Sequence, residues 1–220
     1  VTTSEASEGI DVDADSTVTS LVVGHITPLS IAEGKSLSGA IAVSAGSLKL
    51  NETGTLASTI AMSGGTLDAD DSLVVSGALT QSGDITIDVA DNKTLTYSGA
   101  AVEIGEYTLN VIGGGILNNN NALVLSSGGS KLLLNSITLD SVSTTSDSLG
   151  LDVDADSTVT SLLVANITPV SIASGSSLSG GITVSAGSLK LNETGTLAST
   201  IAMSGGTLDA DDSLVVSGAL

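Results

Sequence analysis

The sequence predicts an all-β protein folded as a parallel β-solenoid, in which the chain winds into stacked coils and each strand pairs with the strand of the next coil. Three observations support this prediction. A long segment is repeated in tandem, a period of about 19–20 residues runs inside it, and aromatic residues are nearly absent, with no Phe or Trp and two Tyr. Aromatic side chains normally fill the irregular cores of globular domains, so a thin, regular interior of aliphatic side chains is expected.

The tandem repeat is clearest at residues 44–79, whose 36 residues recur without change at 185–220. When 1–79 is aligned with 142–220, only 14 of 79 positions differ. The offset of 141 residues predicts a first tandem unit at 1–141 and a partial second unit at 142–220 that continues the same solenoid. Because the second copy stops inside its unit, the sequence is expected to be an excerpt of a longer array.

The shorter period defines the coils. Val18, Leu37 and Leu56 form one column at a spacing of 19 residues. Alternations such as Ile41-x-Val43 predict short strands with one buried face, and Gly, Asn and Asp between them predict turns. Seven coils of about 20 residues fill one 141-residue unit, so the chain is expected to hold about eleven coils. The coils are too uneven for the strict hexapeptides of left-handed solenoids, which favours a right-handed β-helix.

Charge and composition argue against several classes of partner. The chain has 24 acidic residues against five basic ones, a formal net charge of −19. Nucleic acids and anionic membrane surfaces both need basic residues, so neither is an expected partner. No apolar run is long enough to cross a bilayer, and no membrane insertion is expected. The absence of cysteine fits a surface protein that is stable without disulfides.

No arrangement of residues predicts catalysis, so the chain is not expected to be an enzyme. His25 is the only histidine, and Asn166 replaces it in the second copy. No Cys or Arg is available to complete a catalytic or metal-binding set with it. Polysaccharide-cleaving β-helices would add basic or aromatic residues around paired carboxylates, and this chain has very few of either.

Two acidic strings supply calcium candidates, and no other cofactor is expected. Carboxylates at alternate positions of a strand or turn face the same side, and Ca²⁺ takes six to eight oxygen ligands. The glycine-rich nonapeptide of calcium-binding solenoids and the EF-hand loop are both absent. The absence of both motifs favours an acidic turn that faces water over a calcium site. The candidates are Asp11, Asp13 and Asp15 in DVDADS and Asp68, Asp70 and Asp71 in DADDS, the latter repeated as Asp209, Asp211 and Asp212.

Four sequons of the form N-x-S/T are candidate N-glycosylation sites: Asn51, Asn92, Asn166 and Asn192. Asn51 and Asn92 are predicted to lie in turns, where a glycan would project outward. In an organism without N-glycosylation, these are ordinary turn residues.

Coils such as SGGTLDADDSLVVSGAL and DVADNKTLTYSGA resemble the repeats of large microbial surface adhesins, including filamentous-haemagglutinin-type and autotransporter-passenger β-helices. The resemblance extends over the whole chain but brings no functional residue with it. It implies a protein outside the cell or at its surface that forms part of a fibre, stalk or filament. Stacked coils would give length and rigidity, and the partner would be the protein itself, through end-to-end stacking or continuation of the array.

The alternative is an adhesin module that recognises a glycan or another surface through a lateral face of the solenoid. Exposed aromatic side chains would support such a site, and Tyr97 and Tyr107 are the only aromatic residues available.

Overall fold

The computed structural model describes residues 1–3, 5, 8–210 and 215–220. Every regular element among these residues is a β-strand, and the strands form two parallel sheets, here sheet A and sheet B. The predicted fold class, an all-β parallel solenoid, is confirmed, with about ten turns where about eleven were expected. The handedness stays a prediction.

The chain divides into two compact bodies. The first contains Val1–Val102 and Ile112–Asn121, and the second contains Glu103–Val111 and Ala122–Leu220. The boundary between tandem units after residue 141 was derived from the sequence period and stays a prediction.

In the first body, sheet A contains nine strands and sheet B five among the described residues. Those of sheet A are β1 (Thr2–Thr3), β3 (Ser16–Val23), β5 (Ser36–Val43), β7 (Thr55–Leu56), β8 (Thr59–Met62), β10 (Leu73–Val75), β11 (Leu79–Gln81), β13 (Thr94–Tyr97) and β16 (Ile116–Asn119). Those of sheet B are β2 (Ile10–Val12), β4 (Thr27–Ile31), β6 (Ser47–Asn51), β9 (Thr66–Ala69) and β12 (Ile85–Val89).

The remaining strands lie wholly or mostly in the second body. Those of sheet A are β14 (Val102–Ile104), β17 (Leu123–Leu125), β19 (Thr138–Thr144), β21 (Ser157–Val164), β23 (Ser177–Val184), β25 (Thr196–Leu197), β26 (Thr200–Met203) and β28 (Val215–Val216). Those of sheet B are β15 (Thr108–Ile112), β18 (Lys131–Asn135), β20 (Gly150–Val153), β22 (Ile167–Ile172), β24 (Ser188–Asn192) and β27 (Thr207–Ala210).

The core consists of aliphatic columns that run from coil to coil. Ile41, Ile60 and Leu79 pair in register on β5, β8 and β11, and all three side chains are buried. The alternation of the sequence places every second residue of a strand inward, so each coil contributes the same few positions to the core. Burying one such side chain is worth about 1.5–3 kcal/mol, and the columns repeat this contribution along the stack.

One predicted column differs in the structure. Leu37 pairs with Leu56 as expected, but Val18 pairs with Gly39, and Ser16 takes the position opposite Leu37. The register shifts between Val18 and Leu21, where β3 carries one more residue than β5. A fixed spacing of 19 residues cannot reveal this β-bulge. The extra residue shifts which residues of the two strands are paired, while inward and outward residues still alternate on either side of it.

Candidate functional site

Carboxylates bond to the starts of strands in the following coil. Asp15 lies in the turn after β2, and its Oδ1 accepts hydrogen bonds from the backbone N of Ser36 at 2.9 Å and from the Ser36 Oγ at 3.1 Å. Ser36 begins β5. In the second body, Asp156 accepts the same pair of bonds from Ser177, at 2.8 and 2.9 Å. Each carboxylate therefore satisfies a backbone donor where a strand begins and ties one coil to the next.

This role accounts for part of the first acidic string. Asp11 and Asp13 are exposed, and Asp15 is held by Ser36. The sequence offered two interpretations of the string, a calcium site or an acidic turn that faces water, and neither included the capping role of Asp15. A signal was available, since Asp15 and Asp156 each precede by 21 residues a serine that opens a strand, a distance of about one coil.

A charged cluster lies on the outward face of sheet B in the first body. The Nζ of Lys49 is 2.9 Å from Oδ2 of Asp70 and 3.5 Å from Oδ2 of Asp68. Asp68 pairs in register with Asp88 on the next strand. Burial, and then the nearby charge of Asp70, raise the pKa of both Asp68 and Asp88. The hydrogen bond with Asp70 raises the pKa of Lys49. The ammonium group of Lys49 is therefore shared by carboxylates whose negative charges repel one another.

Two further lysines form ion pairs with aspartates of the same body. Lys93 Nζ is 2.6 Å from Asp71 Oδ1, and this hydrogen bond lowers the pKa of Asp71. In the second body, Lys131 Nζ is 2.5 Å from Asp152 Oδ2. The members of each pair lie on neighbouring coils. Partly exposed ion pairs of this kind contribute about 0–1 kcal/mol each to the free energy of unfolding. They therefore provide only a small part of the stability of the stacked coils.

The second acidic string is likewise divided between partners. Asp68 and Asp70 meet at Lys49, whereas Asp71 is paired with Lys93. Within the described residues, no group of three or more His, Cys, Asp or Glu side chains is placed to hold a metal ion. Calcium binding by the candidates stays a prediction. The repeated candidates Asp211 and Asp212 lie outside the described residues.

The four sequons occupy different local structures. Asn92 lies in an exposed turn and has a positive φ of 61°, in agreement with the predicted turn. Asn51 ends β6 and Asn192 ends β24, so Asn51 belongs to a strand end and not to the predicted turn. Asn166 is half-buried between β21 and β22. Glycosylation of any of them stays a prediction.

The aromatic residues do not form a common surface. Tyr97 is only 4% exposed, because it takes an inward position in register with Val75 of the preceding coil. Its Oη accepts a hydrogen bond of 3.0 Å from the backbone N of Leu79, and burial raises its pKa. Tyr107 is 36% exposed. The expectation that Tyr97 could belong to a lateral binding face was therefore wrong, since its ring is a core residue.

None of the described residues belongs to a helix with the length and hydropathy needed to span a membrane. No known protein family, curated protein or solved structure matches this chain.

Proposed function

We propose that the chain is a structural repeat of an extracellular fibre, stalk or cell-surface filament, and that its stacked coils provide length and rigidity. The main support is that contacts between coils recur in both tandem copies. Thr17 and Ser38 are joined by a 2.7 Å hydrogen bond between hydroxyl groups, and Thr158 and Ser179 repeat it at the same distance. The Asp15 cap is repeated as well.

Sequence differences between the copies mostly avoid these contacts. His25 is exposed and becomes Asn166, and Glu33, also exposed, becomes Ser174. The core positions that differ keep aliphatic side chains: Leu29 becomes Val170 and remains buried, and Ile10, which is half-buried, becomes Leu151, which is buried. Stability in a solenoid is close to a sum of coil terms and coil–coil terms, so selection for a long stack would keep these contacts and leave exposed side chains free.

The self-association, the location outside the cell and the absence of enzymatic activity belong to the same proposal. Its support includes the resemblance of the coils to repeats of microbial surface adhesins, together with an acidic surface that suits neither nucleic acid nor anionic membranes. The adhesin alternative is not favoured by a specific observation, because Tyr97 lies in the core and Tyr107 is the aromatic residue left at the surface.

Cryo-electron microscopy of the native material tests this proposal. We expect filaments with an axial spacing of about 4.8 Å between coils and a repeat of about 34 Å for seven coils. Immunogold labelling of intact cells should mark these filaments outside the cell. Native material made only of short separate particles, or labelling confined to the cell interior, would contradict the proposal.

A further inference from the structure

Two polar side chains interrupt an aliphatic core column in the first body. The column contains one residue from each of β5, β7, β10, β13 and β16, and its members, paired in register, are Leu37, Leu56, Val75, Tyr97 and Asn119. All five side chains are buried, and Asn119 is 0% exposed. A buried polar group is costly unless it is hydrogen-bonded, so Tyr97 and Asn119 each need partners that an aliphatic member of the column does not need.

The polar members of the column occur where the length of the coil changes. Leu37, Leu56 and Val75 follow one another at intervals of 19 residues. Tyr97 comes 22 residues after Val75, and Asn119 comes 22 residues after Tyr97. In these two coils, the constant spacing of the preceding coils therefore no longer defines which residues of neighbouring strands pair.

The alternation of inward and outward residues excludes only some of the wrong registers. A slip of one residue would turn the inward side chains of a strand outward, but a slip of two residues would keep them inward. In the observed register, Leu95 pairs with Leu117 and Tyr97 with Asn119. A slip of two residues between β13 and β16 would place Asn119 opposite Leu95. Register shifts do occur in this solenoid, as the β-bulge of β3 shows.

Hydrogen bonds of the two polar side chains connect three consecutive coils. The backbone N of Leu79 donates to Oη of Tyr97 at 3.0 Å. Nδ2 of Asn119 donates to the carbonyl oxygen of Asn121 at 3.1 Å, and Nδ2 of Asn121 donates to the carbonyl oxygen of Gly99, in the preceding coil, at 2.6 Å. A slip of two residues would move Asn121 away from Gly99 and place the amide of Asn119 against a leucine. These bonds are therefore complete only in the observed register.

We propose that Tyr97 and Asn119 are a register-determining pair, whose buried hydrogen bonds select the observed pairing of β13 with β10 and with β16. A slipped register leaves buried polar atoms without partners and is destabilised for that reason. Aliphatic side chains discriminate less between registers, because one aliphatic side chain can cover another. In coiled coils, a single buried polar residue fixes the register in the same way. The inference goes beyond the proposed structural role, because it concerns pairing within one chain.

Disulfides between introduced cysteines report the register, because the chain has no cysteine of its own. Thr96→Cys with Asn118→Cys reports the observed register, since these two residues are paired and only half-buried. Thr94→Cys with Asn118→Cys and Thr96→Cys with Ile116→Cys report slips of two residues in the two directions. In the observed register, the Cα atoms of each slip reporter are about 8 Å apart, too far for a disulfide. Each 220-residue chain is unfolded in urea and refolded under oxidising conditions, and its disulfide yield is measured by peptide mass mapping.

Each reporter is combined with changes of the register-determining pair. Asn119→Leu replaces the buried amide with an aliphatic side chain, and we expect the yield of slipped disulfide relative to the observed one to rise about tenfold or more. Asn120→Leu is the matched control, because it makes the same change at an exposed neighbour, and the ratio should change less than about twofold. Tyr97→Phe removes the Oη acceptor and keeps the ring, which gives a second test if Asn119→Leu does not refold. Circular dichroism checks that each variant keeps its β content.

A slipped disulfide that forms in Asn119→Leu or Tyr97→Phe, and stays rare in the wild-type background and in Asn120→Leu, would support the inference. Formation of the observed disulfide alone in both variants would overturn it, because the remaining contacts would then be sufficient to set the register. An equal yield of slipped disulfide in the wild-type background or in Asn120→Leu would also overturn it, because the slip would then not depend on the buried polar groups.

Discussion

Gly39 is the position at which a single added methyl group should have the largest effect. Gly39 has a φ of +118°, which side chains of L residues rarely adopt. It lies opposite Val18, next to the register shift between β3 and β5. A Cβ at this position would be 1.7 Å from the carbonyl oxygen of Val18 and 2.8 Å from its carbonyl carbon. These are backbone atoms of the preceding coil, and they cannot move away without opening the β3–β5 ladder.

The cost of Gly39→Ala has two parts. Holding a residue other than glycine at this φ costs about 1–3 kcal/mol, and forcing the backbone of the neighbouring coil apart costs about 1–3 kcal/mol. We therefore expect the free energy of unfolding to fall by about 2–6 kcal/mol. Gly180 repeats the geometry in the second body, with a φ of +117° and a Cβ that would lie 1.9 Å from Val159 O. Gly180→Ala should have a similar effect.

Urea unfolding followed by circular dichroism measures this loss, and native-state hydrogen exchange of the β5 amides shows whether opening is local, as is common in repeat proteins. Gly34→Ala is the matched control, because Gly34 has a φ of +70° but no neighbouring atom within 4 Å of the added Cβ. It should cost about 1–2 kcal/mol, the conformational part alone. Equal losses for Gly39→Ala and Gly34→Ala would refute the argument from close packing between coils.

Three further changes test the contacts between coils. Asp15→Ala removes the acceptor of the Ser36 backbone N and should cost about 1 kcal/mol in urea unfolding, whereas Asp15→Asn should restore most of the loss. Tyr97→Phe leaves the backbone N of Leu79 without its buried acceptor and should lower stability by about 1–3 kcal/mol. Asp88→Asn should raise the melting temperature at pH 7. The raised pKa of Asp88 means that its charged form destabilises the folded chain, so the gain over the wild type should shrink as the pH falls through that pKa towards 4.

Each of these changes has a matched control or a contrary outcome. Asp13→Ala removes a neighbouring exposed carboxylate and should change stability by less than about 0.5 kcal/mol. If Asp13→Ala and Asp15→Ala lost the same stability, the effect of Asp15 would come from its negative charge and not from its hydrogen bonds to Ser36. Tyr107→Phe removes a hydroxyl group from an exposed ring and should be neutral, so equal costs for the two tyrosines would contradict the role of Tyr97. If the gain from Asp88→Asn were the same at pH 4 and pH 7, the burial of a charged Asp88 carboxylate next to Asp70 would not be its cause.

For the aspartates, the sequence pattern predicted which side chains share a face but did not predict their partners. The strings containing Asp15 and Asp68 were identified from spacing alone, and spacing predicted that alternate carboxylates share a face. Their partners were not predictable, because Ser36 lies 21 residues after Asp15 and becomes its neighbour only when a coil closes. Lys49 reaches Asp68 and Asp70 for the same reason. Tyr97 was placed on the surface from its chemistry, and the register of β13 with β10 put it in the core.

The sequence by itself determined that this chain is a parallel solenoid, because alternation fixes which residues face inward and a period of about 19–20 residues fixes the length of a coil. The identity of 44–79 with 185–220 also determined that the strand sequences of β8 and β9 occur again, as β26 and β27. Only the tertiary structure decided the register at Gly39 and the partners of the carboxylates. These depend on which atoms of one coil meet those of the next, and no distance along the sequence contains that information.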